Sequence, residues 1–201
     1  MTYASELDVV SPHCAIWHRF DNNVKTELFS TAIAVPEGVV VVDPIDLTND
    51  SKTQLESLGR IIAVVVTNAN HVRSADLFAR RYSAPVFTSA GLQGEFLQGR
   101  TLTGSGSTYG LEAVVIDGGP AGEIALYDQR EGGTLIVGDA LINFDPYGFT
   151  VLPPKYCTSQ RRLLQSLRRL LEFDFARLFF AHGYPITAHA RERLAALLLA
   201  E

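Results

Sequence analysis

The sequence predicts an α/β protein in which mixed sheets are covered on the outside by helices, and three observations predict it. First, Val39–Val42 and Ile61–Val66 are unbroken apolar runs of strand length, which suits strands buried on both faces. Second, each is followed by a stretch with helical spacing of apolar residues, so strand and helix alternate. Third, the second half repeats the order of strands, polar turn and helix. A chain of 201 residues with 47% hydrophobic content can bury a substantial core, and residues 1–201 read as a single domain.

Cys14–Phe20 and Leu28–Val35 read as opening strands. The turn Pro36-Glu37-Gly38 leads into the Val39–Val42 strand, which runs into Asp43-Pro44. Asp46 to Leu58 reads as a helix, with Thr48, Asn49 or Asp50 as its N-cap and Leu55 and Leu58 on one side. Ile61–Val66 ends in Thr67-Asn68-Ala69-Asn70-His71, and an amphipathic helix over Arg73–Tyr82 follows. Pro85–Thr88 is a short strand, with a short helix near Gly91–Leu97. Leu111–Ile116, Glu123–Tyr127 and Thr134–Val137 are strands joined by glycine-rich turns. Phe144 to Lys155, with three prolines, reads as an irregular loop. Thr158 or Ser159 caps a helix whose Leu163, Leu164, Leu167, Leu170 and Leu171 share a face. Leu178–Ala181 is the last strand and Thr187–Ala200 the closing helix.

The 17 basic and 22 acidic residues give a net charge of -5. This argues against a nucleic-acid-binding or anionic-membrane surface, either of which needs a basic face. The first residues lack the basic start of a secretory signal, and Ile61–Val66 is far shorter than the roughly 18 apolar residues of a membrane span. Cys14 and Cys157 form no ligand pair and read as free thiols in a reducing compartment. A cytoplasmic protein is expected.

Polar residues follow the apolar runs at four strand ends: Asp43, the set Asn68, Asn70 and His71, Asp139 and His182. Ligands in layered α/β proteins collect at strand ends, where loops converge. His71, Asp139 and His182 form a two-imidazole, one-carboxylate set able to hold zinc with a position left open for water, or a non-haem iron. Spacing alone does not bring these three distant residues together. The same groups can also satisfy one another by hydrogen bonds without any ion.

These residues also carry a family resemblance. Val39–Pro44 resembles the strand and aspartate that open the metallo-β-lactamase core, and Val64–His71 resembles the strand and loop of its HxHxDH motif. Asp117-Gly118-Gly119-Pro120-Ala121-Gly122 resembles the PGHTPG turn. Leu135–Asp139 is similar to the strand ending in the metal-bridging Gly-Asp, and Phe180–Ile186 to the final GHGxPI segment. The resemblance covers roughly Leu28 to the C-terminus and implies a four-layer αββα sandwich with the site along one edge of two facing sheets.

The departures matter as much. In the HxHxDH stretch the first histidine falls on Val66, the second on Asn68 and the aspartate on Asn70, leaving His71 alone. The histidine of the turn falls on Gly119. The family's first metal position therefore keeps only Asp139, whereas the second keeps His71, Asp139 and His182 with Asn70 in place of its carboxylate. A neutral amide is a poor zinc ligand and cannot act as an acid or base at neutral pH.

The resemblance implies a metal-dependent hydrolase acting on an ester, thioester, lactone or related carbonyl or phosphoryl bond. It would use one divalent ion (zinc, iron or manganese) on His71, Asp139 and His182, or none if the site is a relic. The alternative is a non-catalytic descendant that binds a small ligand or a protein partner in the old cleft. Asn68, Asn70, Asp43, Gly119 and Tyr184 are expected to line the site or bind substrate, with Asp43 a buried acceptor and the asparagines shaping the turn. Tyr147 and Phe149 are further candidates for a pocket wall. His13, His18 and His189 read as structural or exposed, and Arg161, Arg162, Arg168 and Arg169 as a solvated helix face. Gly104–Ser107 lacks the pattern of a phosphate loop and reads as a flexible turn. An apolar helix face or an edge strand can support a homodimer.

Overall fold

The computed structural model describes residues 3–96, 99–102 and 107–201. The first sheet contains β1 (Asp8–Ser11), β2 (Cys14–Asp21), β3 (Thr26–Val35), β4 (Gly38–Val42), β5 (Ile61–Val65), β6 (Val86–Thr88) and β7 (Gly99–Thr101), hydrogen-bonded in chain order. Pairing is antiparallel up to β4 and parallel from β4 to β7. The second sheet combines β8 (Ser107–Thr108), β9 (Leu111–Val115), β10 (Ile124–Asp128), β11 (Thr134–Val137) and, after a hairpin of β12 (Leu141–Phe144) and β13 (Gly148–Val151), β14 (Arg177–Phe180). Its order is β14-β11-β10-β9-β8, with β14 parallel to β11.

The all-valine run works because both faces of β4 are covered. Val40 and Val42 point into a layer shared with Phe29, Val65, Leu126, Ile136 and Phe179, which lies between the two sheets. Val39 and Val41 point the other way, against Leu55 of α1 (Asn49–Ser57) and Phe78 of α2 (Ala75–Tyr82). The second sheet repeats this arrangement. Leu135 and Val137 face outward onto Leu163 and Leu167 of α3 (Gln160–Arg169) and Leu194 and Leu198 of α4 (Ala190–Ala200), while Ile136 faces inward. Three apolar layers thus separate four structural layers, in the order α, β, β, α.

Local chemistry sets the helix ends. Thr48 caps α1 by accepting from the Ser51 amide, and Ser159 caps α3 by accepting from the Arg162 amide. The second helix starts at Ala75 rather than Arg73, because a 3-10 turn over Ala69–His71 comes first and Arg73 takes a φ of 39°. The last helix starts at Ala190 rather than Thr187, since His189 has a φ of 54°. The short helix near Gly91–Leu97 is a 3-10 turn at Gln93–Glu95, and Leu97 lies outside the described residues. Most of Gly104–Ser107 also lies outside them.

One expectation is corrected. The segment read as an irregular loop, Phe144–Lys155, holds the last residue of β12, the turn and all of β13 of a hairpin paired from Leu141↔Val151 to Phe144↔Gly148. Its prolines fall where they break no pairing: Pro146 in the turn, and Pro153 and Pro154 after β13.

Candidate metal centre

The C-terminal ends of β4, β5, β11 and β14 meet at one edge of the sandwich. Backbone hydrogen bonds from Phe29 N–H to Ala181 (2.9 Å) and from Ile124 N–H to Thr67 (2.8 Å) tie the sheets together there. Parallel pairing of β4 with β5 and of β11 with β14 brings Asp43 beside Thr67 and Asp139 beside His182.

Asp43 is fully buried and anchors the first sheet's side of the site. Its Oδ1 accepts from the Thr67 amide (2.8 Å) and its Oδ2 from the Thr67 hydroxyl (2.6 Å). His71 Nδ1 lies 2.8 Å from that hydroxyl oxygen and 3.0 Å from Asp43 Oδ2. The hydroxyl hydrogen is already given to Asp43 and a carboxylate can only accept, so His71 Nδ1 carries a proton and donates. Its other nitrogen, Nε2, is therefore the one turned toward the cleft.

His182 is oriented in the same way by a different partner. Its Nδ1 donates to the backbone carbonyl of Glu27 at 3.0 Å, which leaves Nε2 facing inward. The two inward nitrogens converge on one oxygen: Asp139 Oδ1 is 3.2 Å from His71 Nε2 and 3.3 Å from His182 Nε2. One ligand atom from each of the three residues can be chosen so that all lie within 4.8 Å of one another. His71 Nε2 is buried and has no hydrogen-bond partner among the described residues, its contact with Asp139 lying off the hydrogen-bond line.

The other oxygen of Asp139 is engaged separately. Its Oδ2 accepts from Asn68 Nδ2 and Asn70 Nδ2, each at 3.1 Å. Asn68 Oδ1 in turn accepts from the Asn70 amide at 2.8 Å, which fixes which end of the Asn68 amide faces the carboxylate. The asparagines thus both shape the 3-10 turn and clamp Asp139, leaving Oδ1 for the imidazoles.

Electrostatics follow from this packing. Burial opposes a charge on His71, yet Asp43 and Asp139 together outweigh it and raise His71 to about 9. Burial would raise Asp139, but His71 and His182 hold it well below the usual carboxylate range. Burial lowers His182. A proton at His71 Nε2 therefore fills, in the absence of a metal, the place a cation would take. Two inward nitrogens, each with its outer nitrogen already anchored, and one shared carboxylate oxygen fit a divalent metal ion at the second family position. The first position does not fit: Val66 and Gly119 offer no ligand atom and Asn68 gives its nitrogen to carboxylates.

His71, Asp139, His182 and Asn70 line a cleft of about 1030 Å³. Its walls include Val24 and Lys25 between β2 and β3, and Phe144, Tyr147, Pro153 and Tyr156 around the β12–β13 hairpin. Asp43, Asn68 and Gly119 are absent from the cleft wall; the first two are buried behind the ligands and act through them. Tyr184 is exposed and packs edge-on against Phe29 (5.1 Å) and His18 (5.6 Å), away from the cleft. Tyr147 lines the cleft as expected, whereas Phe149 packs on Phe180.

Three contributors were not selected from the sequence. Thr67 could have been sought once Asp43 was taken as a buried acceptor needing donors. Arg73 is half-buried and donates to the carbonyls of Phe29, Asp43 and Ala181, tying three segments of the site edge together. Glu123 is 1% exposed, accepting from Asn68 Nδ2 at 2.5 Å and from the Ala140 amide at 3.0 Å. Burial, reinforced by Asp139, pushes Glu123 up to about 8. Neither Arg73 nor Glu123 stands in a spacing that marks it as part of a site.

A model of the metallo-β-lactamase superfamily matches residues 8–200. The chain belongs to that superfamily. A metallo-β-lactamase from Pontibacter korlensis superposes with a TM-score of 0.73 at 14% identity, covering 98% of this chain and 99% of that one. TTHA1623, solved in a di-iron-bound form, gives 0.62 at 19% identity over 84% and 92% of the two chains. An archaeal superfamily protein from Sulfolobus tokodaii gives 0.62 at 14% identity over 86% and 79%. A search of curated proteins gives no match. Structural likeness at this identity establishes the αββα fold expected of the superfamily and nothing about substrate. No described helix is long and apolar enough to cross a membrane.

Proposed function

We propose that this superfamily member is a hydrolase working with one divalent metal ion held by His71, Asp139 and His182. The observation that carries this reading is the aim of the two histidines: each has its Nδ1 tied down, and each turns Nε2 toward Asp139 Oδ1. A divalent ion bound there supplies Lewis-acid chemistry, lowering the pKa of water toward about 7 and polarising a carbonyl or phosphoryl oxygen.

The protein's own residues do the positioning. Asn68 and Asn70 hold Asp139 by Oδ2, so its Oδ1 stays between the imidazoles. Arg73 keeps the strand ends together behind them. The cleft wall of Leu28, Ile142, Phe144, Tyr147 and Leu152 suits the apolar acyl or aromatic part of a small ester, thioester, lactone or phosphoester.

A second reading, a binding protein without turnover, is favoured by one observation. Asn70 stands beside Asp139 at the cleft, where the family has its acid/base aspartate, and an amide does not titrate. Assay of zinc-, iron- and manganese-loaded protein against ester, thioester, lactone and phosphoester panels separates the two. Turnover that disappears in His182→Ala supports the hydrolase; a metal-loaded protein that binds these compounds and turns none over supports the second reading.

A further inference from the structure

We infer that the Glu123 side chain occupies the family's first metal position and so limits the site to one ion. Two places where the family carries first-position histidines are Asn68 and Gly119, and Glu123 lies against both. Its Oε2 accepts from Asn68 Nδ2 at 2.5 Å. A Cβ placed on Gly119 would stand 3.6 Å from Glu123 Cγ and 3.7 Å from its Cβ, so the side chain runs directly beneath that glycine. On the far side Oε1 accepts from the Ala140 amide at 3.0 Å, and a Cβ on Gly138 would come within 2.8 Å of it. The carboxyl group is therefore packed against bare backbone on one side and the vacated ligand positions on the other.

Asn68 completes the substitution. Its amide nitrogen has two hydrogens; one goes to Glu123 and the other to Asp139 Oδ2 at 3.1 Å. In the family Asp139's counterpart bridges two metals. Here the first metal's side of that bridge is taken by an amide donor, backed by a carboxyl group in place of the lost cation. Replacing Asn68 and Gly119 by histidine is thus insufficient to recover a second ion while Glu123 remains.

Zinc bound per chain, measured after equilibrium dialysis, tests this directly. The comparison is wild type, the double variant Asn68→His/Gly119→His, and the triple variant that adds Glu123→Ala. The double variant is expected to bind no more ions than wild type, and the triple variant about one more per chain than the double. Both variants lack the Asn68 donor to Asp139, so the comparison between them is independent of whether the second position is filled. An extra ion in the double variant, or none in a folded triple variant, overturns the inference. Should the triple variant fail to fold, Glu123→Ala alone decides at pH 6. Its melting temperature should fall by roughly 5 °C, because Asn68 and Ala140 lose a buried acceptor, and an unchanged or raised value overturns the inference.

Discussion

His71 Nε2 lies 3.2 Å from Asp139 Oδ1, buried and without a hydrogen-bond partner among the described residues, while its Nδ1 is committed to Thr67 and Asp43. A histidine placed only for packing would not have its outer nitrogen fixed by a buried carboxylate and its inner one turned on a second. The superfamily fold supplies the edge at which this happens. The residues around it supply the orientation, and each can be tested separately.

Asp43 holds the ligand histidine without touching the cleft. Asp43→Ala leaves the Thr67 amide, the Thr67 hydroxyl and His71 Nδ1 without their acceptor, all buried. The expected cost is about 3–5 kcal/mol, with a loss of metal affinity. Chemical denaturation and metal titration of the variant measure both, and a wild-type affinity in a folded variant would show that Asp43 does not orient His71.

Asn70→Asp restores a carboxylate beside the ligands. It should raise zinc affinity at least about tenfold, since a charged oxygen replaces a neutral one. It should also make the metal-free protein less stable, because residue 70 donates to Asp139 at 3.1 Å and would then present a like charge. Competition with a chromophoric chelator reads the affinity. An unchanged zinc affinity would contradict a metal at the second position.

The metal-free protein should lose stability as pH rises above neutral. Glu123 stands at about 8 against an ordinary 4.5, and His71 at about 9 against an ordinary 6.5, so the folded state binds more protons than the unfolded one. The contribution of Glu123 is complete below about pH 4.5 and is lost as pH climbs through 8; that of His71 is complete below about 6.5 and lost through 9. Asp43 and Asp139, both lowered, act oppositely and only in acid. Urea denaturation of chelator-treated protein at pH 6, 7.5 and 9 checks this, and rising stability across that series would contradict it.

Gly183 keeps His182 in place. Its φ is 115°, and a Cβ there would run into the backbone of Asn143, with which Gly183 is paired in a β-bridge. Gly183→Ala should therefore destabilise the fold by about 2 kcal/mol or more and weaken metal binding through the shifted His182. A melting curve with the metal titration checks it; wild-type values in both would show that the bridge does not set the histidine.

Much of the fold was legible because period and length are local signals. Val39–Val42 and Ile61–Val66 declare strands covered on both sides, and the leucines of α3 declare its buried face. The β12–β13 hairpin was not legible, because its two four-residue strands lie among prolines and glycines that dominate the local pattern. At the site, His71, Asp139 and His182 could be named as a set, since metal ligands are few in kind and sit at strand ends. Glu123 and Arg73 could not, because their roles depend on contacts to residues 55 and 108 positions away in the chain. Tyr184 lies next but one to a ligand, yet its exposed ring packs edge-on against His18 and Phe29, contacts that no spacing announces.

Elemental analysis of protein purified without chelator or metal-affinity resin, beside His182→Ala prepared in the same way, tests the central claim most directly. The account predicts close to one zinc, iron or manganese ion per wild-type chain and a loss of that ion in the variant. A wild-type protein that stays metal-free after incubation with all three ions would contradict it.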